Sequence, residues 1–193
     1  MQRGICHINL KEKMKNSKHA LVALLAIVSV SAASAQSNDG YYAEAGYLKL
    51  KLTSDSSIAP TPKLLRLVIG KNIHDNLSVE GMVGLTASKS SWSDSASQTE
   101  GKVSATTYGV IAKPKFAITN GTEVFARVGI AHTSWKDEHT GSTSSDSVTK
   151  AVYGAGIQTE FSKNVYGQLD YMSYGGKDAW KSKGFTFSVG TSF

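Results

Sequence analysis

Along Lys183 to Phe193, apolar or amphipathic residues (Phe185, Phe187, Val189, Thr191, Phe193) alternate with small or polar ones (Gly184, Thr186, Ser188, Gly190, Ser192). A period of two is the mark of a strand with one apolar face. The opposite face has no side chain large enough for a conventional core, so the apolar face needs another environment, and lipid is the obvious one. Seven earlier runs repeat the alternation: Tyr41 to Leu52, Lys63 to Ile73, Leu77 to Ser88, Val103 to Ile118, Thr122 to Trp135, Val148 to Phe161 and Val165 to Tyr174.

The connections between these runs alternate in kind. Residues 53–62, 89–102, 136–147 and 175–182 are long, Ser-rich and hydrophilic, whereas His74–Asn76, Thr119–Gly121 and Ser162–Asn164 are tight. Asn-Gly at 120–121 is a strong hairpin signal, which accounts for Asn120-Gly-Thr122 without invoking glycosylation. Four long loops, three short turns and both chain ends on the short-turn side predict an all-β fold: an eight-stranded antiparallel up-and-down transmembrane β-barrel.

Facing follows strand by strand. Leu65, Leu67 and Ile69 oppose Arg66, Val68 and Gly70; Val124, Ala126, Val128 and Ile130 oppose Glu123, Phe125, Arg127 and Gly129. Ionisable residues share a face with glycine, and the other face is aliphatic. A soluble barrel would bury the aliphatic face and expose the charges. Glu44, Arg66, Glu80, Lys113, Lys115, Arg127, Gln158, Glu160 and Asp170 are therefore expected to point inward. Eight strands leave an interior only wide enough to be filled by side chains, so mixed charges predict a plug of ion pairs; a narrow or gated channel is the alternative.

Aromatics supply a vertical coordinate. Tyr41, Phe116, Phe161 and Phe193 lie at short-turn ends, and Tyr47, Tyr108, Trp135, Tyr153, Tyr171 and Phe185 nearer long-loop ends, as two interfacial belts would require. Keeping Glu44 inside forces Lys49 and Lys51 outward. At ~3.3 Å per residue and a tilt of ~40°, Lys49 sits about 20 Å above Tyr41, where a cation could meet lipopolysaccharide phosphates. A bulge reversing the facing of this strand is equally allowed. Pro114 lacks the N–H a closed barrel needs and predicts a bulge or local break.

The net charge of +6 is concentrated at the start: Arg3, Lys11, Lys13, Lys15 and Lys18 against Glu12 account for four of those charges. The remainder is nearly balanced, so the basic pI is no argument for nucleic-acid binding. The basic segment precedes an apolar run, Ala20 to Val30, and an Ala33-x-Ala35 pattern. Together they read as a signal peptide over residues 1–35, with Met14 a second candidate start and a mature barrel over 36–193. The apolar run is too short to span a bilayer as a helix. The single cysteine, Cys6, precedes the expected mature chain, whose stability must then come from something other than disulfides.

The last third carries a family likeness. Tyr153-Gly-Ala-Gly156, Phe161-Ser-Lys-Asn164, Gln168-Leu-Asp-Tyr171 and the terminal Phe185-x-Phe187-Ser-Val-Gly190-x-x-Phe193 resemble the small outer-membrane β-barrels of the outer-membrane protein A, X and opacity-protein type. The resemblance implies an integral protein of the bacterial outer membrane, with extracellular loops and periplasmic termini. It also implies that Phe185, Phe187, Val189 and Phe193 are read by the barrel-assembly machinery. Peptidoglycan anchoring, which larger members of those families owe to an added periplasmic domain, is not expected here. The expected role is envelope integrity or surface interaction through the loops at 53–62, 89–102, 136–147 and 175–182, in contact with outer-membrane lipid and lipopolysaccharide.

Catalysis and cofactors are not expected. His132-Thr-Ser134 resembles the His-x-Ser pair of barrel lipid A deacylases, in which strand spacing sets base and nucleophile side by side, and a lipid A acyl hydrolase is the enzyme alternative. Trp135 follows the serine, however, and no acidic partner is evident in the sequence. His132 and His139 lack metal-site spacing, and Asp94, Glu100, Asp137 and Glu138 read as solvated loop charges. No phosphate loop or nucleic-acid module is present.

Overall fold

The structure, a computed structural model, describes residues 40–53, 61–94, 99–139, 142–176 and 181–193. The signal-peptide segment, most of the loop at 53–62 and half of that at 175–182 lie outside these residues. Nine antiparallel strands are described: β1 (Tyr41–Thr53), β2 (Lys63–His74), β3 (Leu77–Ser88), β4 (Ser90–Asp94), β5 (Thr99–Thr119), β6 (Thr122–His139), β7 (Ser142–Ser162), β8 (Val165–Ser173) and β9 (Lys181–Ser192). Eight of them form the ring. β9 pairs with β1 and β3 with β5, so the sheet closes without an edge over the barrel's height.

Register fixes the dimensions. Tyr41 faces Lys71, then Val79, Ala112, Val128, Tyr153, Ser173 and Lys183 in turn, and Lys183 faces Lys51. One circuit therefore climbs from residue 41 to residue 51 of β1, a stagger of 51 − 41 = 10. With ~3.3 Å per residue and ~4.8 Å between strands, this corresponds to a tilt of about 40° and a radius of about 8 Å. Such an interior has room for side chains and little else.

The outward face is aliphatic and aromatic: Ile69, Val110, Ile130, Tyr153 and Phe185 each expose about 60% or more of their surface. Exposure on this scale, repeated around the ring, has no stable counterpart in water and fits a lipid-facing wall. β1 keeps one register along its length, with no bulge, so Leu48, Leu50 and Leu52 point inward and Lys49 and Lys51 outward. At Pro114 the β5–β6 ladder lapses after Ala112–Val128 and resumes at Lys115–Phe125 in the same register, a break rather than a bulge. The hairpin at Asn120-Gly121 has only Gly121 at positive φ (86°), with a one-residue register shift, the signature of a turn closed by a glycine bulge. Asn164 takes the same role at Ser162–Asn164, with φ 65°.

Two expectations about the long loops are corrected. Much of 89–102 and nearly all of 136–147 is strand: β5 and β7 each run 21 residues, and β6 and β7 stay paired out to His139–Ser142. Ser and Thr fit a strand whose two faces both meet water, so a hydrophilic composition did not mark a loop. β4 continues β3 after an irregularity at which the Thr86 hydroxyl donates to the Ala105 carbonyl (2.6 Å) and accepts the Ala105 N–H (2.8 Å), replacing a ladder pair. β4 to β7 thus extend beyond the ring as a polar four-stranded arm.

Candidate functional site: the barrel interior

Inward positions alternate along every strand, and the stagger brings acidic β1, β3 and β8 residues level with basic β2, β5 and β6 residues. Three carboxylates (Glu44, Glu80, Asp170) and three cations (Arg66, Lys113, Arg127) are fully enclosed, each no more than 2% exposed. Arg127 is the hub. Its Nε and Nη2 donate to Glu80 at 2.6 and 2.8 Å, Nη2 also to Glu44 at 2.7 Å, and Nη1 to Asp170 at 3.0 Å. Arg66 bonds Asp170 through both terminal nitrogens, Nη1 at 2.8 Å from Oδ2. Lys113 donates to Glu44 (3.1 Å), Gln158 (3.1 Å) and Gln168 (3.0 Å) and lies 3.6 Å from Glu80. Three charges of each sign cancel, which is the condition under which buried ions can be tolerated.

Three residues of this network were not among those expected. Tyr42 donates to Glu80 (2.8 Å), Tyr166 donates to Glu44 (3.1 Å), and the Gln168 amide donates to Glu44 and Asp170 (both 3.2 Å). Each shares inward parity with an expected residue two or four positions away on its own strand (Tyr42 with Glu44, Tyr166 and Gln168 with Asp170), and that signal would have found them. Tyr42, Tyr166 and Phe125 also form a partial aromatic collar round the Lys113 ammonium, with ring centroids 5.2, 5.9 and 4.5 Å away. The rings lie over glycines of adjacent strands: a Cβ on Gly70 would come 2.2 Å from the Tyr42 ring, and one on Gly190 2.3 Å from Tyr166.

Two expected members are placed elsewhere. Glu160 has inward parity but lies exposed at the short-turn rim, too low to join the network. Lys115 is half-buried at the same mouth and pairs with Glu123 at 3.8 Å rather than with the buried carboxylates. Gln158 is half-buried, contributing through Lys113. Below the network is a cavity of about 20 Å³ lined by Tyr42, Lys113 and Tyr166 among others, room for about one water.

The expectation of a polar lumen holds only for the half nearer the short turns. Above the ion pairs, Leu48, Leu50, Leu64, Met82, Ile111 and Met172 fill the interior, each essentially without exposed surface. Trp135, expected in the outer belt, points inward and packs on this apolar layer. Its parity with Arg127, Gly129 and Ala131 requires that. Arg66 bridges the two layers, with Nη1 3.4 Å from the Tyr174 hydroxyl and 3.5 Å from the Met172 sulfur.

His132 and Ser134 do sit side by side on the outward face. The His132 Nδ1 is 2.9 Å from the Thr149 hydroxyl, however, and the Ser134 hydroxyl donates to the Asp146 carbonyl at 3.5 Å, so the two are engaged with other residues rather than with each other. In the terminal strand Phe185 and Phe187 are well exposed outward, Val189 is half-buried, and Phe193 follows the strand end with its N–H donating to the Tyr41 carbonyl at 2.9 Å.

Comparison with known proteins agrees with this geometry. Ail, the attachment invasion locus protein of Yersinia pestis, superposes with a TM-score of 0.60 at 22% identity, over 79% of this chain and 97% of Ail. Neisserial surface protein A gives 0.66 at 18% identity, over 80% and 97%. OprG of Pseudomonas aeruginosa gives 0.55 at 9% identity, over 80% and 96%. A search of curated protein sequences finds no match. Likeness at these identities establishes the shared small-barrel fold, and the sequence itself supplies the family: a model described as "Outer membrane protein beta-barrel domain" matches residues 20–193. The chain belongs to the outer-membrane protein β-barrel family, whose place is the bacterial outer membrane.

Proposed function

We propose that this protein is a sealed outer-membrane barrel that serves envelope integrity and surface contact and is not a conducting pore. The observation that carries the reading is the two-layer filling: a neutralised ion-pair network with a contiguous apolar layer above it. An ion crossing this interior would have to break several charge-assisted bonds and then enter an apolar layer, each step costing several kcal/mol. Short turns and both termini face the periplasm in this reading, and the arm of β4 to β7 faces outward. The arm is where surface contact occurs, since its strands hold Ser, Thr and mixed charges on a rigid paired frame. The aromatic alternation ending the chain is read by the assembly machinery.

Catalysis is not part of the reading, because the His132 and Ser134 side chains are each bonded to β7. Single-channel recording of purified protein in planar bilayers tests the seal. Wild type is expected to be silent; steady conductance from pure protein overturns the proposal. Mass spectrometry of lipid A from cells with and without the protein is expected to show an unchanged acyl pattern.

A further inference from the structure

The outer wall carries one patch that neither the interior network nor the arm uses. β1 presents Lys49 and Lys51 outward, β2 begins with Lys63, and β9 begins with Lys181 and Lys183; all five are exposed. Register gathers them. Lys49 is directly opposite Lys63, Lys51 is directly opposite Lys183, and Lys181 faces Thr53 beside them. Like charges directly opposite one another on adjacent strands are destabilising. Among the described residues, no carboxylate forms an ion pair with any of the five; the half-buried acids Glu123 and Glu138 pair with Lys115, Lys89 and Lys136. The barrel wall holds repulsion that its own described residues do not relieve.

The patch is local. Correcting for the stagger, the outward positions level with Lys51 on β3, β5, β6 and β7 are Ala87, Thr106, Ser134 and Thr149, all neutral. It also adjoins the aromatic belt. Phe185 is paired with Lys49 and stacks on Tyr171 at 4.5 Å between centroids, and Tyr47 is the next outward residue below Lys49. The lysines are therefore at the height where acyl chains end and headgroups begin, about 20–25 Å above Tyr41 on β1.

We propose that these lysines, on β9, β1 and β2, bind the phosphate groups of a phosphorylated lipid of the surrounding leaflet. Its acyl chains lie on the aromatic wall below, and its phosphates relieve the Lys49–Lys63 and Lys51–Lys183 repulsion. The lipid is assigned over a soluble anion because the ammonium groups share one continuous outward face with Phe185 and Tyr47, so a ligand anchored in the bilayer reaches both. The inference rests on the proposed orientation, in which this rim lies in the outer leaflet, where bis-phosphorylated lipid A resides.

Native mass spectrometry of the folded barrel in detergent tests it. The probes are bis-phosphorylated lipid A, the same lipid after enzymatic removal of both phosphates, and inorganic pyrophosphate. Wild type is expected to retain the phosphorylated lipid at least tenfold better than the phosphate-free form. Lys49→Gln, Lys51→Gln, Lys63→Gln and Lys183→Gln combined should abolish that preference, while Lys102→Gln with Lys150→Gln leaves it within twofold. Heat-modifiability on a detergent gel reports folding; if the fourfold variant does not fold, Lys49→Gln with Lys63→Gln should still reduce the preference threefold or more. Equal retention of the two lipids, or a preference that survives the glutamines, overturns the proposal. So does displacement of the lipid by micromolar pyrophosphate, which would make the patch a soluble-anion site. The bilayer recording on wild type is independent, so failure of the seal and failure of this site are told apart.

Discussion

Replacing Arg127 by Met is the most direct test of the interior network. The change keeps most of the side-chain volume and removes the group that donates to Glu80, Glu44 and Asp170. Three carboxylates would then face Arg66 and Lys113 alone, leaving one buried negative charge uncompensated and several acceptor positions empty. Breaking a buried ion pair from one side costs about 3–5 kcal/mol, most of it the penalty on the abandoned partner. With a urea dependence of about 2 kcal/mol per M, the midpoint should fall by about 2 M. The assay is equilibrium unfolding from lipid vesicles, followed by tryptophan fluorescence and the heat-modifiable gel shift. A second variant isolates the cause: Arg127→Met combined with Glu80→Gln restores charge balance and should recover part of the loss despite removing more bonds. A midpoint shift below about 0.5 M for the single variant, or a double variant less stable than the single, would refute the claim that charge neutrality in the interior sustains the fold.

Other consequences follow from the wall, the glycines and the arm. Leu67→Arg, placed between Ala45 and Val83 on the lipid face, should cost ~2–4 kcal/mol and reduce the heat-modifiable fraction; normal assembly would contradict the facing. Gly70→Ala drives a Cβ into the Tyr42 ring and should cost about 1–3 kcal/mol. Gly81→Ala, whose nearest neighbour would be 3.9 Å away on the lipid face, should cost less in the same urea assay. Glu138, in the arm, is held below the ordinary carboxylate range by a hydrogen bond from Lys89 and then one from Lys136. Because its folded-state pKa is depressed, its contribution to arm stability is present above the unfolded pKa and lost as pH falls through the folded one. Lys89→Gln should therefore raise the Glu138 titration midpoint observed by NMR, and an unchanged midpoint would mean that the Lys89 bond does not form in solution.

The eight strands of the ring, the lipid-facing positions and most of the inward charges were legible in the sequence, because alternation is a local property that a barrel strand obeys across the membrane. Glu44, Arg66, Glu80, Arg127 and Asp170 could be placed inside without knowing which would touch. Parity likewise required Trp135 to point inward, and its assignment to the outer belt came from reading height alone. Tertiary structure decided what depends on stagger. A climb from residue 41 to 51 in one circuit sets Arg127 level with three acids from three other strands, drops Glu160 to the rim, and stacks the leucines of β1 against Met82 and Met172 as an apolar layer. The same stagger brings Lys49 opposite Lys63 and Lys51 opposite Lys183. Sequence spacing carries the face of each residue; its height and its neighbours exist only once the ring has closed.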